Sequence, residues 1–440
     1  MLKVGFAKVD VTPQLGVPVM GHYNKRIADG ILDSIELVAL AANDGEKTVL
    51  IITGDFLGIH EKWATELRKL ISAETGVAED HIYLQALHQH TSVLIGYNPH
   101  LYEVVETTTS EQELYLKFLY RKYADVAKMA IDDMCEAEMS VGQKKTDTDI
   151  SFVRRYRMKD GSVKTNPKRE EIENVEGPLG DADNTVRLVR FKREGAKDIA
   201  LVNFSTHPDV VGGTKFSADW PGFVRRMTET DIPNVHCILV NGAQGDTNHV
   251  NRFAPKSTLT KYEFSAHMGR VITDAVIDLW DKTEKKEASH VYGQIQERYI
   301  PTNTSRIDEI EECQRLKQAY LDGTYQPSGM GERADFYRAA ALHSQSLFQK
   351  VLVSVIGIGE VAFVGFGGEP FTWYAEQARA AAPDLFVITT CTTNCYAGYL
   401  PTKEAFEEGG YEGKSTNFTV GLVDTMTETV KEMLDNYKNQ

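Results

Sequence analysis

Three times along the chain an apolar run of strand length ends abruptly on a histidine or a carboxylate, and this pattern restricts the fold more than any other. Ile82 to Leu87 leads to His88-Gln89-His90; Ile199 to Phe204 leads to Ser205-Thr206-His207-Pro208; Val361 to Phe366 leads to Gly367-Gly368-Glu369-Pro370. Runs of this length and composition read as buried strands. Strands that release polar residues at their ends call for a sheet whose rim gathers them. In extended backbone the side-chain period is two, so His88 and His90 are expected to project to one face. Imidazole is a nitrogen ligand for zinc and a proton carrier near neutral pH. A histidine pair at one strand end also fits an ordinary hydrogen-bonded surface pair; the matching transitions elsewhere are what make it a candidate centre.

The surrounding pattern is that of an α/β protein. Residues 35–42 precede the Asn43-Asp44-Gly45 turn, and residues 48–53 run apolar to Gly54-Asp55, a hairpin with Asp55 at the strand exit. Trp63, Leu67, Leu70 and Ile71 recur at helical spacing over 61–75, ahead of the strand that delivers His88. Strand, helix, strand is the grammar of a layered fold. A long helix is expected over 111–137, with Leu114, Phe118, Leu119, Tyr123, Val126 and Met129 on the face that covers the sheet. Asp160-Gly161 reads as a hairpin turn, and Asp219-Trp220-Pro221-Gly222 as a helix start with proline in the first turn. Residues 235–240 form a strand that opens into Asn241-Gly242-Ala243-Gln244-Gly245-Asp246-Thr247-Asn248, which lacks the Lys-Ser/Thr ending of a phosphate loop. Helical periodicity returns over 261–281 and 418–434, strands over 351–358, 361–366 and 385–388. The fold expected is a layered mixed β-sheet core covered by helices, in one large domain over 1–440. Residues 301–349, with Arg333, read as a helical insertion that shapes access to substrate.

A chain of 440 residues with 42% hydrophobic and 25% charged residues can bury a large core. Its formal charge of −15 argues against a nucleic-acid partner, which requires concentrated Lys and Arg. No stretch approaches transmembrane length, so stable membrane insertion is not expected. The first residues lack the apolar segment of a signal peptide, and Cys135, Cys237, Cys313, Cys391 and Cys395 show no disulfide framework. A cytoplasmic location is the expectation; oligomeric state is left open.

The separated motifs, in order, resemble the catalytic domain of the neutral/alkaline non-lysosomal ceramidases. The family's Thr-His-Thr-His-Ser/Ala-Gly-Pro is similar to Leu87-His88-Gln89-His90-Thr91-Ser92, its Val-His-Pro to Thr206-His207-Pro208, and its Ser-Asp-Asn-Lys-Gly-Tyr to Ala218 through Phe223. Its Gly-Glu-Phe-Thr-Thr is similar to Gly368 through Thr372, its Asn-x-Tyr-x-x-Tyr-Val-Thr-Thr-x-Glu-Glu-Tyr to Asn394 through Phe406, and its Arg-Tyr-Glu-Gly to Gly410-Tyr411-Glu412-Gly413. The resemblance implies a ceramidase-like fold and a zinc site on His88, His207, Glu369 and Tyr399. It implies His90 beside the ion but off it, Tyr411 as donor to the developing negative charge, and Arg154 as a substrate-holding group. Two imidazoles and a carboxylate form a catalytic zinc set on chemical grounds as well, one position staying open; a phenol is the less usual ligand.

Two departures shape the expected reaction. The family's Gly-Asp-Val-Ser-Pro-Asn loop stands here as Gly245-Asp246-Thr247-Asn248-His249-Val250, so Asn248 replaces a serine sometimes assigned as nucleophile. A carboxamide is a poor nucleophile but can orient substrate, which favours direct attack by zinc-activated water. Asp246 is expected to hold a ligand histidine in its tautomer. The chain also ends soon after the tyrosine motifs, so the family's immunoglobulin-like domain is not expected. The expected activity is therefore zinc-dependent hydrolysis of a C–N amide bond in a small soluble substrate; an ester, lactone or glycosidic bond, or a non-enzymatic ligand-binding role, are the alternatives.

Overall fold

The computed structural model describes residues 1–96, 110–304, 307–327, 332, 335–336 and 347–440. The strands of its two large sheets are numbered below in chain order. Strand β1 (Lys3–Asp10) pairs antiparallel with β2 (Glu36–Asn43), which turns at Asp44-Gly45 into β3 (Thr48–Gly54). Helix α1 (Glu61–Thr75) then crosses to β4 (Ile82–Ala86), parallel to β3. Helix α2 (Ser110–Asp132) carries the chain back to β5 (Cys135–Lys145), followed by β6 (Thr185–Arg193) and β7 (Asp198–Phe204), each antiparallel to the one before. A second crossover, α3 (Asp219–Asp231), leads to β8 (Val235–Asn241), parallel to β7. The sheet runs β8-β7-β6-β5-β1-β2-β3-β4, nine strands counting the short Glu284–Lys285 on β5.

After α4 (Lys261–Leu279) the chain builds a second sheet in the order β9 (Val291–Pro301), β10 (Phe348–Ile358), β11 (Val361–Phe366), β12 (Phe386–Thr390). Helix α5 (Thr372–Ala381) joins the parallel pair β11 and β12, and α6 (Gly421–Lys438) closes the chain. Strand alternation divides the core into layers. Val38, Leu40, Val49 and Ile51 of the large sheet meet Ile356, Ile358, Val361 and Phe363 of the small one, so the sheets pack face to face. The neighbouring residues Leu37, Ala39, Leu50 and Ile52 point the other way, to Leu67 and Ile71 of α1 and Tyr115, Leu119 and Tyr123 of α2. Helices α3 and α4 cover the β6–β8 end, and α5 and α6 cover the small sheet. The result is two mixed sheets between two helical layers.

The sequence predicts most of these elements, with two corrections. The helix expected over 111–137 ends at Asp132, because from Cys135 burial alternates with a period of two as the chain enters β5. Its buried face is Tyr115, Leu119, Tyr123, Val126, Ala127 and Ala130, whereas Leu114, Phe118 and Met129 are exposed. In the 301–349 segment the α-helix Ile310–Leu321 is described, residues 332 and 335–336 are also helical, and Arg333 lies outside the described residues.

The functional placement follows from the three strand–helix–strand units. In open α/β sheets the crevice beyond the carboxyl ends of parallel strands is where ligands bind. His88 follows β4, His207 follows β7 and Glu369 follows β11. Each is therefore delivered by the carboxyl end of a parallel strand.

Candidate metal centre

All three side chains meet. Glu369 Oε2 lies 3.3 Å from His88 Nε2 and 3.3 Å from His207 Nε2, with each residue at most 2% exposed. Donors bound at zinc distances on a tetrahedral ion stand about 3.3–3.4 Å apart. Each imidazole has its other nitrogen fixed by a backbone carbonyl: His88 Nδ1 donates to Leu57 O at 2.7 Å and His207 Nδ1 to Gln244 O at 3.0 Å. Those bonds set the tautomer and turn both Nε2 lone pairs toward the carboxylate. Burial alone raises the Glu369 carboxyl, but His88 and His207 beside it outweigh that and hold it well below the usual range. Burial, with the Arg154 charge, lowers the His207 imidazole.

The local backbone departs from the sequence expectation. Strand β4 stops at Ala86, and His88 sits at φ 79°, in the left-handed region that a branched-Cβ chain avoids. The extended alternation that was to put His88 and His90 on one face does not exist here. The two rings converge nonetheless, 5.0 Å between centroids, because the chain turns. His90 is placed by its N–H on Pro208 O, and by Arg26 donating to its carbonyl at 2.8 Å. Gly21, at φ 101°, lies against its ring: a Cβ there would stand 2.8 Å from the imidazole.

His90 is closer to the centre than the sequence implies. A ring nitrogen from each of His88, His90 and His207 lies within 4.8 Å of the others, a grouping able to hold a metal ion. His90 Nε2, His207 Nε2 and Glu369 Oε2 are buried and make no hydrogen bond. Buried polar atoms left without partners cost stability, and an ion at the His88, His90 and His207 grouping, beside Glu369, would supply the missing partner. The residues present therefore fit a metal ion.

A second polar group borders the centre. Glu369–Pro370 pairs in parallel with Tyr399–Leu400, and Gly245 packs on the Glu369 carbonyl so closely that a Cβ would come within 2.3 Å. Arg154, 4% exposed, donates through Nε to Glu412 at 2.7 Å and through Nη2 to Gly245 O and the Tyr399 hydroxyl, both at 2.9 Å. Glu412 also accepts from Thr165 Oγ1 at 2.7 Å. The Tyr411 and Tyr23 hydroxyls are 2.8 Å apart, and the Tyr399 and Tyr411 rings make an edge contact. Burial raises the Tyr399 hydroxyl well above its ordinary value against the opposing pull of Arg154.

In the loop after β8 the sequence reading needs correction. Asp246 does not hold a histidine; its Oδ1 accepts from the N–H and hydroxyl of Thr372 at the start of α5, 2.9 Å each. The tautomer-fixing groups are the carbonyls of Leu57 and Gln244, which no side-chain pattern announces. Asn248 uses its carboxamide within the loop, Oδ1 accepting from Val250 N–H at 3.0 Å and Nδ2 donating to Asn166 at 2.9 Å. Thr247 is fully buried, with its hydroxyl on Gln244 O at 3.4 Å.

No protein-family model matches the sequence, and no curated protein does. Solved structures do. A neutral ceramidase from Pseudomonas aeruginosa superposes with a TM-score of 0.71 at 15% identity, over 98% of this chain and 74% of that one. A ceramidase complexed with C2 gives 0.68 at 14% identity, over 98% and 74%. The fold is that of a neutral ceramidase. At this identity the likeness is one of fold, and the chemistry has to come from the residues themselves. Within the ceramidase fold, several groups around the centre escape the sequence reading: Glu412, Tyr23, His22, Asp209 and His249. Of these only Glu412 carried a signal, as the acidic residue inside Gly410-Tyr411-Glu412-Gly413.

Proposed function

We propose that this protein is a metal-dependent hydrolase, with zinc as its ion and a C–N amide bond of a small soluble substrate as its target. The observation that carries the reading is the 3.3 Å approach of both imidazole Nε2 atoms to one buried carboxylate oxygen, with no other partner for that oxygen. His88, His207 and Glu369 would hold the ion, and Tyr399, whose strand pairs with that of Glu369, is the proposed fourth ligand. Bound there, the ion supplies Lewis-acid polarisation of a carbonyl and of water.

The chain's own residues supply the rest. His90, with an unpartnered Nε2 beside the donor set, accepts a proton from the attacking water. Tyr411 donates to the oxygen on which negative charge develops. Arg154 anchors Tyr399 and contributes Nη1, its one nitrogen without a hydrogen bond among the described residues, toward substrate. Asn248 shapes the loop and orients substrate with its remaining N–H, and no acyl-enzyme forms. No helix among the described residues is long and apolar enough to cross a membrane.

The test is metal analysis of protein purified without chelator, followed by a panel of amides, esters, lactones and glycosides assayed with and without chelator. About one zinc per chain and chelator-sensitive amide turnover is the expected result. Turnover of esters or glycosides alone moves the reading to another bond; absence of metal and of any turnover ends it.

A further inference from the structure

Around the centre the contacts close into a ring, and one link in it joins the two ends of the chain. Pro18 and Ile27 pair antiparallel, and Val19 N–H donates to Arg26 O at 3.0 Å, so residues 18–27 form a closed loop. Met20 N–H on Ser92 O at 2.8 Å moors that loop to the histidine segment, as does Arg26, which donates to the Met20 and His90 carbonyls. At its tip Gly21 lies against the His90 imidazole, and the His22 and His90 rings are 5.9 Å apart. Tyr23, the next residue, reaches the short helix Gly410–Ser415, with its hydroxyl 2.8 Å from that of Tyr411. The Tyr411 ring makes its edge contact with Tyr399 at 5.5 Å between centroids, and Tyr399 pairs with Glu369. From His90 through Gly21, Tyr23, Tyr411 and Tyr399 to Glu369, each step is a contact or a bond of the chain, which places Tyr411 on the rim of the centre. Tyr23 belongs to none of the motifs on which the ceramidase resemblance rests.

We infer that Tyr23 is a positioning residue for Tyr411: it donates its hydroxyl proton to the Tyr411 oxygen and so leaves the one proton of Tyr411 for the substrate oxygen that gains negative charge. The inference rests on the hydrolase reading and on Tyr411 as the donor within it. A phenol has one O–H to give and lone pairs to accept with. In a hydrogen bond between two phenols, one of them spends its proton. Were that Tyr411, it would have none left for substrate; with Tyr23 as the donor, the Tyr411 O–H stays available. Hydrogen bonds in a chain also polarise one another. Tyr411 therefore donates more strongly with Tyr23 behind it, at the stage where a fixed donor counts most. Both phenols keep their protons throughout, and no covalent bond is made or broken at Tyr23.

The experiment measures zinc-loaded wild type, Y23F, Y411F and the double variant on the amide that wild type turns over fastest. Y411F is expected to lose about 100-fold in kcat, as for one lost donor to an oxyanion. Y23F is expected to lose about tenfold in kcat with KM unchanged, the rate equivalent of one neutral hydrogen bond. The double variant should be no slower than Y411F, because Tyr23 acts through Tyr411 alone. 3-Fluorotyrosine at position 23, a stronger donor of nearly the same shape, should give a kcat at or above that of wild type. Zinc content and thermal midpoint should match wild type throughout. Losses that multiply in the double variant, a Y23F rate within about twofold of wild type or above it, or a fluorotyrosine variant as slow as Y23F would overturn the inference while chelator-sensitive hydrolysis stands. Loss of zinc or of stability in Y23F overturns it as well, since the bond would then hold the fold and not the proton. A Y411F loss below about threefold overturns it together with the role given to Tyr411. Wild type that binds zinc and hydrolyses no substrate of the panel overturns the hydrolase reading itself, and this inference with it.

Discussion

The two buried polar groups that share the strand between Glu369 and Tyr399 differ in one respect. Around Arg154 the partners are matched: Nε meets Glu412, Nη2 meets Gly245 O and Tyr399, and Glu412 is closed off by Thr165. Around Glu369 they are not, because its Oε2 and the Nε2 atoms of His90 and His207 are buried with no hydrogen bond. Burying charge is tolerated where pairing and hydrogen bonds compensate it. The largely matched Arg154 group therefore reads as a brace that leaves only Nη1 for substrate, and the unmatched one as a site kept for something the chain does not itself contain. The difference can be tested by mutating matched carboxylates on either side.

The largest effect is expected at the centre. Glu369→Gln should abolish stoichiometric zinc binding and the turnover that depends on it, while the thermal stability of metal-free protein changes by less than about 1 kcal/mol, since the carboxylate has no saturated partner to abandon. Zinc retained at one per chain in that variant would break the comparison. Glu412→Ala should do the reverse. It leaves the buried Arg154 charge uncompensated and should destabilise the metal-free chain by about 3–5 kcal/mol, read from denaturant midpoints. A stability within experimental error of wild type would mean that the Arg154 group is not a brace.

Smaller effects sharpen the division of labour around the ion. His90→Ala should leave zinc content near wild type and lower turnover by about 100-fold, as for a lost acid–base group; loss of zinc would make His90 a ligand, a place its ring nitrogen is near enough to take. Thr247→Ala should change turnover least, by about threefold or less, because its hydroxyl is spent on Gln244 O and no covalent route depends on it. Intact-protein mass during turnover checks the same point: an acyl adduct on Thr247 would restore a two-step mechanism.

The legible part of this molecule is its periodicity. Strands β2, β3, β4, β7, β8, β11 and β12 carry continuous apolar runs because both of their faces are buried, and helices α1 and α4 repeat their apolar residues at helical spacing. Strand β5 was masked because its residues alternate between half-buried and exposed, and its polar character lets the preceding helical pattern run on into it. The approach of His88, His207 and Glu369 was legible in the same way, since each ends an apolar run and the ends of parallel strands share one crevice.

Which residues leave the core, and at which strand ends, is written in the chain because side-chain burial is periodic. What each polar side chain does after it leaves depends on neighbours that only folding brings close. Backbone carbonyls such as Leu57 O and Gln244 O carry no residue identity, yet they fix the imidazole tautomers. Asp246, expected to hold a ligand histidine, is used instead on Thr372, and Asn248 gives part of its carboxamide to Val250 and Asn166. His249 and Asp209, 40 positions apart, form a pair only because β7 and β8 run parallel and release their loops side by side. Hydrogen bonds depend on distances of a few tenths of an ångström between groups far apart in the chain, and folding alone sets those distances.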